Sequence, residues 1–84
     1  MNETAGIVVY TKPNCQPCRM TKIALDNQGI TYRVIDLTET PAALAYVQED
    51  LGYSSAPIVV IDDHNHWAGF RPDLIAKIDR PAIA

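Results

Sequence analysis

Residues 7–29, IVVYTKPNCQPCRMTKIALDNQG, decide the fold of this chain. They open with an apolar, β-rich run at 7–11, which is typical of a strand buried on both faces, and this run stops at Pro13. Residues 16–28 then predict a helix, and Gly29 is well suited to follow its last turn. The apolar residues with helical spacing, which we expect on the buried face, are Met20, Ile23, Ala24 and Leu25. The first unit is therefore a strand that leads into a helix.

The rest of the chain continues this alternation. Residues 31–37 predict a second strand, and Pro41, preceded by Thr40, opens a second helix through about residue 51, which Gly52 closes. A third strand at 57–61 begins with Pro57, residues 62–65 form a turn, and residues 66–68 return as a short antiparallel strand. Pro72 begins a last helix with the apolar residues Leu74, Ile75 and Ile78. The sequence predicts an α/β domain of order βαβαββα, with a four-stranded mixed sheet flanked by helices.

Length and charge exclude several classes of protein. Eighty-four residues allow one domain, here 1–84, and the last residues, 80–84, read as a frayed tail. The net charge is −3 and the seven cationic residues are scattered, so a nucleic-acid partner is not expected. No basic segment followed by an apolar one opens the chain, and no apolar run approaches the ~20 residues of a membrane span. We expect a soluble cytoplasmic protein.

Cys15-Gln16-Pro17-Cys18 carries the chemistry. A bond between cysteines this close constrains little of the unfolded chain, so the pair indicates redox or metal chemistry rather than a structural disulfide. Cys15, at the helix start, is expected to have a lowered pKa because unpaired N–H groups and the helix dipole favour its thiolate. Cys15 is therefore the candidate nucleophile and Cys18 the resolving thiol. Pro17 fits the first turn because an N–H there needs no partner.

Less specific interpretations remain open from composition alone. The two cysteines could be inert apolar residues, and a zinc site could recruit His64 and His66 with Asp62 and Asp63. Lys12 could be an ordinary surface lysine, and Trp67 and Phe70 could be core residues.

Three segments together resemble the NrdH-redoxin family: the cysteine motif, Ala56-Pro57, and Trp67-Ala68-Gly69-Phe70-Arg71-Pro72-Asp73. The resemblance covers nearly the whole chain and implies a thioredoxin fold. It also implies a redoxin that takes electrons from thioredoxin reductase, and so from NADPH indirectly, and passes them to class Ib ribonucleotide reductase. No bound cofactor or metal is implied, and a monomer is expected. Gln16-Pro17 departs from the Val-Gln usual in the family and favours a reduction potential nearer thioredoxin's, roughly −270 mV.

The resemblance also implies which residues meet the partner. It makes Ala56-Pro57 a cis peptide facing the cysteines, whose backbone would pair with an extended substrate segment. The residues expected to contact substrate or partner are Lys12, Gln16, Pro17, Ala56, Pro57, Trp67, Gly69, Phe70 and Arg71.

Two other functions are alternatives. A glutathione-dependent glutaredoxin would carry an acidic pair after Gly-Gly, whereas this chain reads Ala68-Gly69-Phe70-Arg71. A non-enzymatic metal or iron-sulfur binding module would show bound metal in the purified protein.

Overall fold

The computed structural model describes residues 6–62 and 64–78. The elements in these ranges, in chain order, are β1 (Val8–Thr11), α1 (Gln16–Asn27), β2 (Arg33–Asp36), α2 (Pro41–Ala45), a π-helical segment (Tyr46–Asp50), β3 (Ile58–Asp62), β4 (Asn65–Ala68) and α3 (Pro72–Ala76). The predicted order βαβαββα is confirmed. Asp63 in the predicted turn and the predicted tail at 80–84 lie outside the described residues.

The four strands form one mixed sheet in the order β2-β1-β3-β4. β1 runs parallel to β2 and antiparallel to β3, and β3 pairs with β4 as an antiparallel hairpin. The predicted four-stranded mixed sheet is confirmed, and helix α1 makes the connection that two parallel neighbours require. Because β1 is an inner strand of the sheet, the loop that follows it lies between the outer strands.

Each face of the central strands β1 and β3 is covered by its own apolar cluster. Side chains alternate along a strand, so Val9 and Val59 point to one face while Tyr10 and Ile58 point to the other. The first cluster packs under α1 and α3 and contains Ile7, Val9, Leu25, Ile30, Val59 and Ile75. The second packs under α2 and the π-helical segment and contains Tyr10, Leu37, Val47, Ile58 and Val60.

The buried face of α1 differs from the prediction. Met20 and Ile23 are 39% and 49% exposed, whereas the buried residues of the helix are Cys18, Thr21 and Leu25. The inward stripe follows the spacing i, i+3, i+7, and Thr21 is polar and Cys18 only weakly apolar. The prediction is therefore confirmed for Leu25 and for Ala24, which packs against the first cluster, and is wrong for Met20 and Ile23.

Helix starts and ends agree with the sequence, while several lengths do not. Helices α1, α2 and α3 each have a proline in the first turn, and Gly29 and Gly52 have positive φ values of 72° and 81°. The second helix is α-helical only through Ala45 and becomes π-helical afterwards. Strand β2 has four residues rather than seven, β3 begins after Pro57, and α3 ends before Ile78. None of the described helices has the length and apolar character needed to cross a membrane.

Candidate active site

The two cysteines lie at the junction of β1 and α1, and they are joined in a disulfide with a Cα–Cα distance of 5.2 Å. Cys15 is the N-cap of α1, with extended dihedral angles of φ −117° and ψ 102°. Its Sγ accepts a hydrogen bond of 3.1 Å from the backbone N–H of Cys18. A sulfur atom therefore occupies the position where a capping oxygen usually accepts an orphan N–H of the first turn.

The loop before the helix turns the chain so that Cys15 faces outward. Asn14 has a φ of 56°, in the left-handed region that asparagine tolerates better than most residues. Cys15 is half-buried and Cys18 is only 2% exposed. Cys15 is thus the more accessible of the two residues, while Cys18 is covered by the protein.

Two grooves share Lys12, and one of them is lined by the two cysteines. The α1 groove, on the helix side, is lined by Lys12, Pro13, Asn14, Cys15, Gln16, Cys18, Arg19 and Lys22. The α2 groove, with a volume of about 170 Å³, is lined by Lys12, Leu37, Thr38, Leu44, Val47, Gln48, Tyr53, Ser54, Ser55, Ala56 and Ile58. Lys12 lines both grooves, and its side chain is exposed. The α1 groove is lined mainly by polar and cationic side chains, whereas the lining of the α2 groove includes the aliphatic side chains of Leu37, Leu44, Val47 and Ile58.

The Ala56–Pro57 peptide bond is cis, as the family resemblance implied. Pro57 is buried, and its carbonyl oxygen accepts a 2.7 Å hydrogen bond from the N–H of Gly69. Gly69 has a φ of 91°, a conformation that a residue with a Cβ rarely adopts. The end of β4 is thereby held against the loop that contains Ala56, on the wall of the α2 groove.

The segment from Trp67 to Arg71 lines neither groove. Trp67 and Phe70 are half-buried and pack against the first apolar cluster. Arg71 is exposed and donates from Nε and Nη2 to the carboxylate of Asp73 at 3.2 and 3.0 Å. This pairing lowers the pKa of Asp73 and raises that of Arg71. Of the predicted contact residues, the structure therefore gathers Lys12, Gln16 and Ala56 at the grooves and leaves this segment to one side.

Sequence reasoning missed three residues at and near the site. Arg19 and Lys22 line the α1 groove, and the helical spacing from Cys15 and Cys18 could have identified them. Tyr53, on the wall of the α2 groove, is hydrogen-bonded through its hydroxyl to Nδ1 of His66 at 2.8 Å, a long-range contact with no local sequence signal.

Of the proposed zinc ligands, Asp62, His64 and His66 lie within the described residues, and Asp63 does not. Across residues 6–62 and 64–78, no group of three or more histidine, cysteine or acidic side chains is arranged to hold a metal ion. Asp62 instead accepts hydrogen bonds from the backbone N–H groups of His64 and Asn65, which lower its pKa. It acts as the acceptor that closes the turn between β3 and β4.

The chain has the element order βαβαββα, a four-stranded mixed sheet and a Cys-x-x-Cys pair at the start of the first helix. Together these features define a thiol–disulfide oxidoreductase. The Glutaredoxin family model matches residues 7–67. The chain is 33% identical to the glutaredoxin-like protein NrdH of Escherichia coli over 86% of each sequence. It is 39% identical to the gene 56 protein of Mycobacterium phage D29, over 86% of this chain and 80% of the phage protein. The chain therefore belongs to the NrdH-type, glutaredoxin-like members of the Glutaredoxin family.

A solved structure agrees with this assignment. The NrdH-redoxin of Escherichia coli, which is described as glutaredoxin-like with a thioredoxin-like activity profile, superposes with a TM-score of 0.81 at 33% identity. The match covers 87% of this chain and 93% of the other. The predicted family and fold are both confirmed.

Proposed function

We propose that the protein takes electrons from thioredoxin reductase and passes them to disulfides of other proteins, with class Ib ribonucleotide reductase as the principal substrate. The observation that carries the proposal is the unequal placement of the two sulfurs at the start of α1. Cys15 is reachable and has its Sγ next to an N–H donor, while Cys18 is enclosed. A nucleophile has to be reached by substrate, and a resolving thiol does not.

In the reduced protein, the thiolate of Cys15 attacks one sulfur of a substrate disulfide. The substrate S–S bond breaks, a mixed disulfide forms, and the other substrate sulfur leaves as a thiolate that takes up a proton. The N–H of Cys18, which donates to Sγ of Cys15, stabilises the attacking charge as a charge-assisted hydrogen bond.

Cys18 completes the cycle. After losing its proton, it attacks Sγ of Cys15, the mixed disulfide breaks, and the second substrate thiol is released. The substrate has then gained two electrons and two protons, and the protein holds the Cys15–Cys18 disulfide. Thioredoxin reductase returns the pair to the dithiol with electrons that originate from NADPH, so the protein needs no bound cofactor of its own.

The choice of reductase is supported by the segment after β4. Glutaredoxins carry an acidic pair there that helps hold glutathione, whereas this chain has Phe70 and Arg71. Phe70 packs against the first cluster. The carboxylate of Asp73, the acidic residue nearby in sequence, forms an ion pair with Arg71. We propose that a protein reductase is preferred over glutathione and that the chain acts as a cytoplasmic monomer.

A comparison of two electron sources tests the proposal. Disulfide reduction is measured with NADPH and thioredoxin reductase, and then with glutathione, glutathione reductase and NADPH, at equal concentrations of the protein. We expect turnover with the first system to exceed turnover with the second at least tenfold, about 1.4 kcal/mol in activation free energy. Equal turnover would replace the proposal with a glutathione-dependent glutaredoxin. Ribonucleotide reductase activity in the presence of the first system then tests the substrate.

A further inference from the structure

The α1 groove has an unbalanced charge. It contains three cationic side chains, Lys12, Arg19 and Lys22, and none of the described residues that line it is acidic. The chain as a whole carries a net charge of −3, so the groove is positive on a protein that is negative. A cleft lined by charges of one sign attracts the opposite sign and raises the association rate of a complementary partner.

These cations are not neutralised within the described part of the chain. None of the three takes part in an ion pair among residues 6–62 and 64–78, where the pair shown is Arg71 with Asp73. Asp26 on α1 and Asp36 on β2 keep their charge, but neither lines the groove. Asp26 accepts a hydrogen bond from the hydroxyl of Tyr32 at 2.8 Å, and Asp36 accepts two from Thr38.

Two of the three cations, Arg19 and Lys22, lie on α1, at increasing distance along the helix from Cys15. Arg19 lies one turn beyond Cys15 and Lys22 one turn beyond Cys18. With a helical rise of about 1.5 Å per residue, Lys22 lies roughly 10 Å along the axis from Cys15. An extended segment advances about 3.3 Å per residue, so it reaches Lys22 about three residues from the cysteine under attack. The groove therefore suits a polypeptide segment.

We propose that the α1 groove selects disulfides whose cysteine is followed or preceded, within about two to four positions, by aspartate or glutamate. Arg19 and Lys22 hold these carboxylates while Cys15 attacks the disulfide, so the specificity for substrate lies on α1. This inference rests on the proposed disulfide reductase function and specifies its substrate class. The electron flow is unchanged: the dithiol of Cys15 and Cys18 is oxidised and the acidic segment's disulfide is reduced.

Three synthetic peptides test the inference. They have equal length and one internal disulfide, and differ only in whether glutamate, glutamine or lysine occupies the positions around it. The protein is reduced beforehand, freed of reductant and mixed with each peptide, and peptide thiol is followed in a single turnover. No reductase is present, so its own preference does not enter. The ratio of the glutamate rate to the lysine rate is the readout.

For the unchanged protein we expect a ratio of about ten at low salt, which falls below about two in 0.5 M NaCl because screening shortens the range of the charges. Arg19→Glu with Lys22→Glu should reverse the preference. Arg33→Glu with Lys77→Glu gives the same net charge but should keep the ratio. Arg33 pairs with Val8 at the start of β1, whereas Cys15 follows its end, and Lys77 follows α3.

The outcomes separate the two proposals. A ratio near one in the unchanged protein, or a ratio that both double variants alter equally, overturns the inference. A double variant at 19 and 22 that slows all three peptides by the same factor also overturns it, because the cations would then act on the thiolate alone. The neutral pair Arg19→Gln with Lys22→Gln, which should bring the ratio to about one, replaces the glutamate pair if that pair fails to fold. If none of the peptides is reduced, the proposed function itself is wrong.

Discussion

Helices α1 and α3 begin in almost the same way, and the small difference decides what each start can do. Both follow a non-helical residue, Cys15 with φ −117° and Arg71 with φ −126°, and both have a proline in the first turn. In α1 the side chain of the preceding residue accepts a hydrogen bond from the first turn, whereas in α3 it does not. The same backbone design thus carries a reactive cap in one helix and an ordinary start in the other.

The first turns of α1 and α3 also differ in charge. The first turn of α3 contains Asp73, whose carboxylate lies at the positive end of the helix and pairs with Arg71. The first turn of α1 contains no acidic residue. The positive end of α1 is therefore left for the sulfur of Cys15, which carries the negative charge in the proposed mechanism. A helix start becomes a redox site when the anion it favours is the nucleophile itself.

The largest effect should come from changing the cap atom. Cys15→Ser retains a side chain that caps helices well, so α1 should stay folded, while disulfide reduction should fall to the uncatalysed background. Cys18→Ser should still form a mixed disulfide through Cys15 and fail to release it. Mass spectrometry of the trapped species and circular dichroism of both variants check this. A mixed disulfide on Cys18 in the Cys15→Ser variant would contradict the assignment of roles.

The next largest effect should come from the anchor of α3. Ile75 is 1% exposed within the first cluster, and Ile75→Ala should lower the free energy of unfolding by about 3 kcal/mol. Urea denaturation measures this loss. If α3 stabilises the fold and α1 carries the chemistry, the rate at which Cys15 is alkylated well below the melting temperature should not change. A rate that falls together with stability would show that α3 also supports the site.

A smaller effect should follow when α1 is given the charge that α3 already has. Gln16→Glu places a carboxylate in the first turn of α1, where it disfavours the Cys15 thiolate. We expect alkylation at neutral pH to slow about two- to fivefold, as a charge effect of 0.3–1 kcal/mol implies. Asn27→Asp adds the same charge at the far, exposed end of the helix and serves as the control. Equal slowing by both variants would contradict a local effect.

The smallest effect should concern the pH dependence of α3. The hydrogen bond from Arg71 lowers the pKa of Asp73 below its usual value of 3.8, so the folded state favours the ionised form. The resulting stabilisation is complete above the unfolded pKa and is lost as pH falls through the lowered, folded pKa. Asp73→Asn should therefore show a shallower loss of melting temperature from pH 5 to pH 2 than the unchanged protein. Parallel curves for the two proteins would show that the pair contributes nothing.

Sequence signals that act locally predicted much of this molecule. Pro41 and Pro72 marked helix starts, Gly29 and Gly52 marked helix ends, and the cysteine motif located the site. These residues have a backbone preference or chemistry of their own, so a single sequence is enough to interpret them.

Features set by packing were predicted less well. Met20 and Ile23 looked like core residues and are exposed, while Thr21 is fully buried although it is polar. Which side of a helix faces the sheet depends on the whole stripe and on its partners in the sheet. The contact between Tyr53 and His66 likewise has no local signal, because it joins residues that the fold brings together.

Strand β2 also affects whether copies of this protein aggregate by pairing their sheets at high concentration. It forms an outer edge of the sheet, and such an edge offers unpaired backbone groups to any passing strand. Only four residues are paired there, the exposed apolar Val34 is one of them, and a charged residue stands at each end, Arg33 and Asp36. A short edge closed by charges is a poor template for sheet extension, and this disfavours aggregation at a site where the apolar surface alone would favour it.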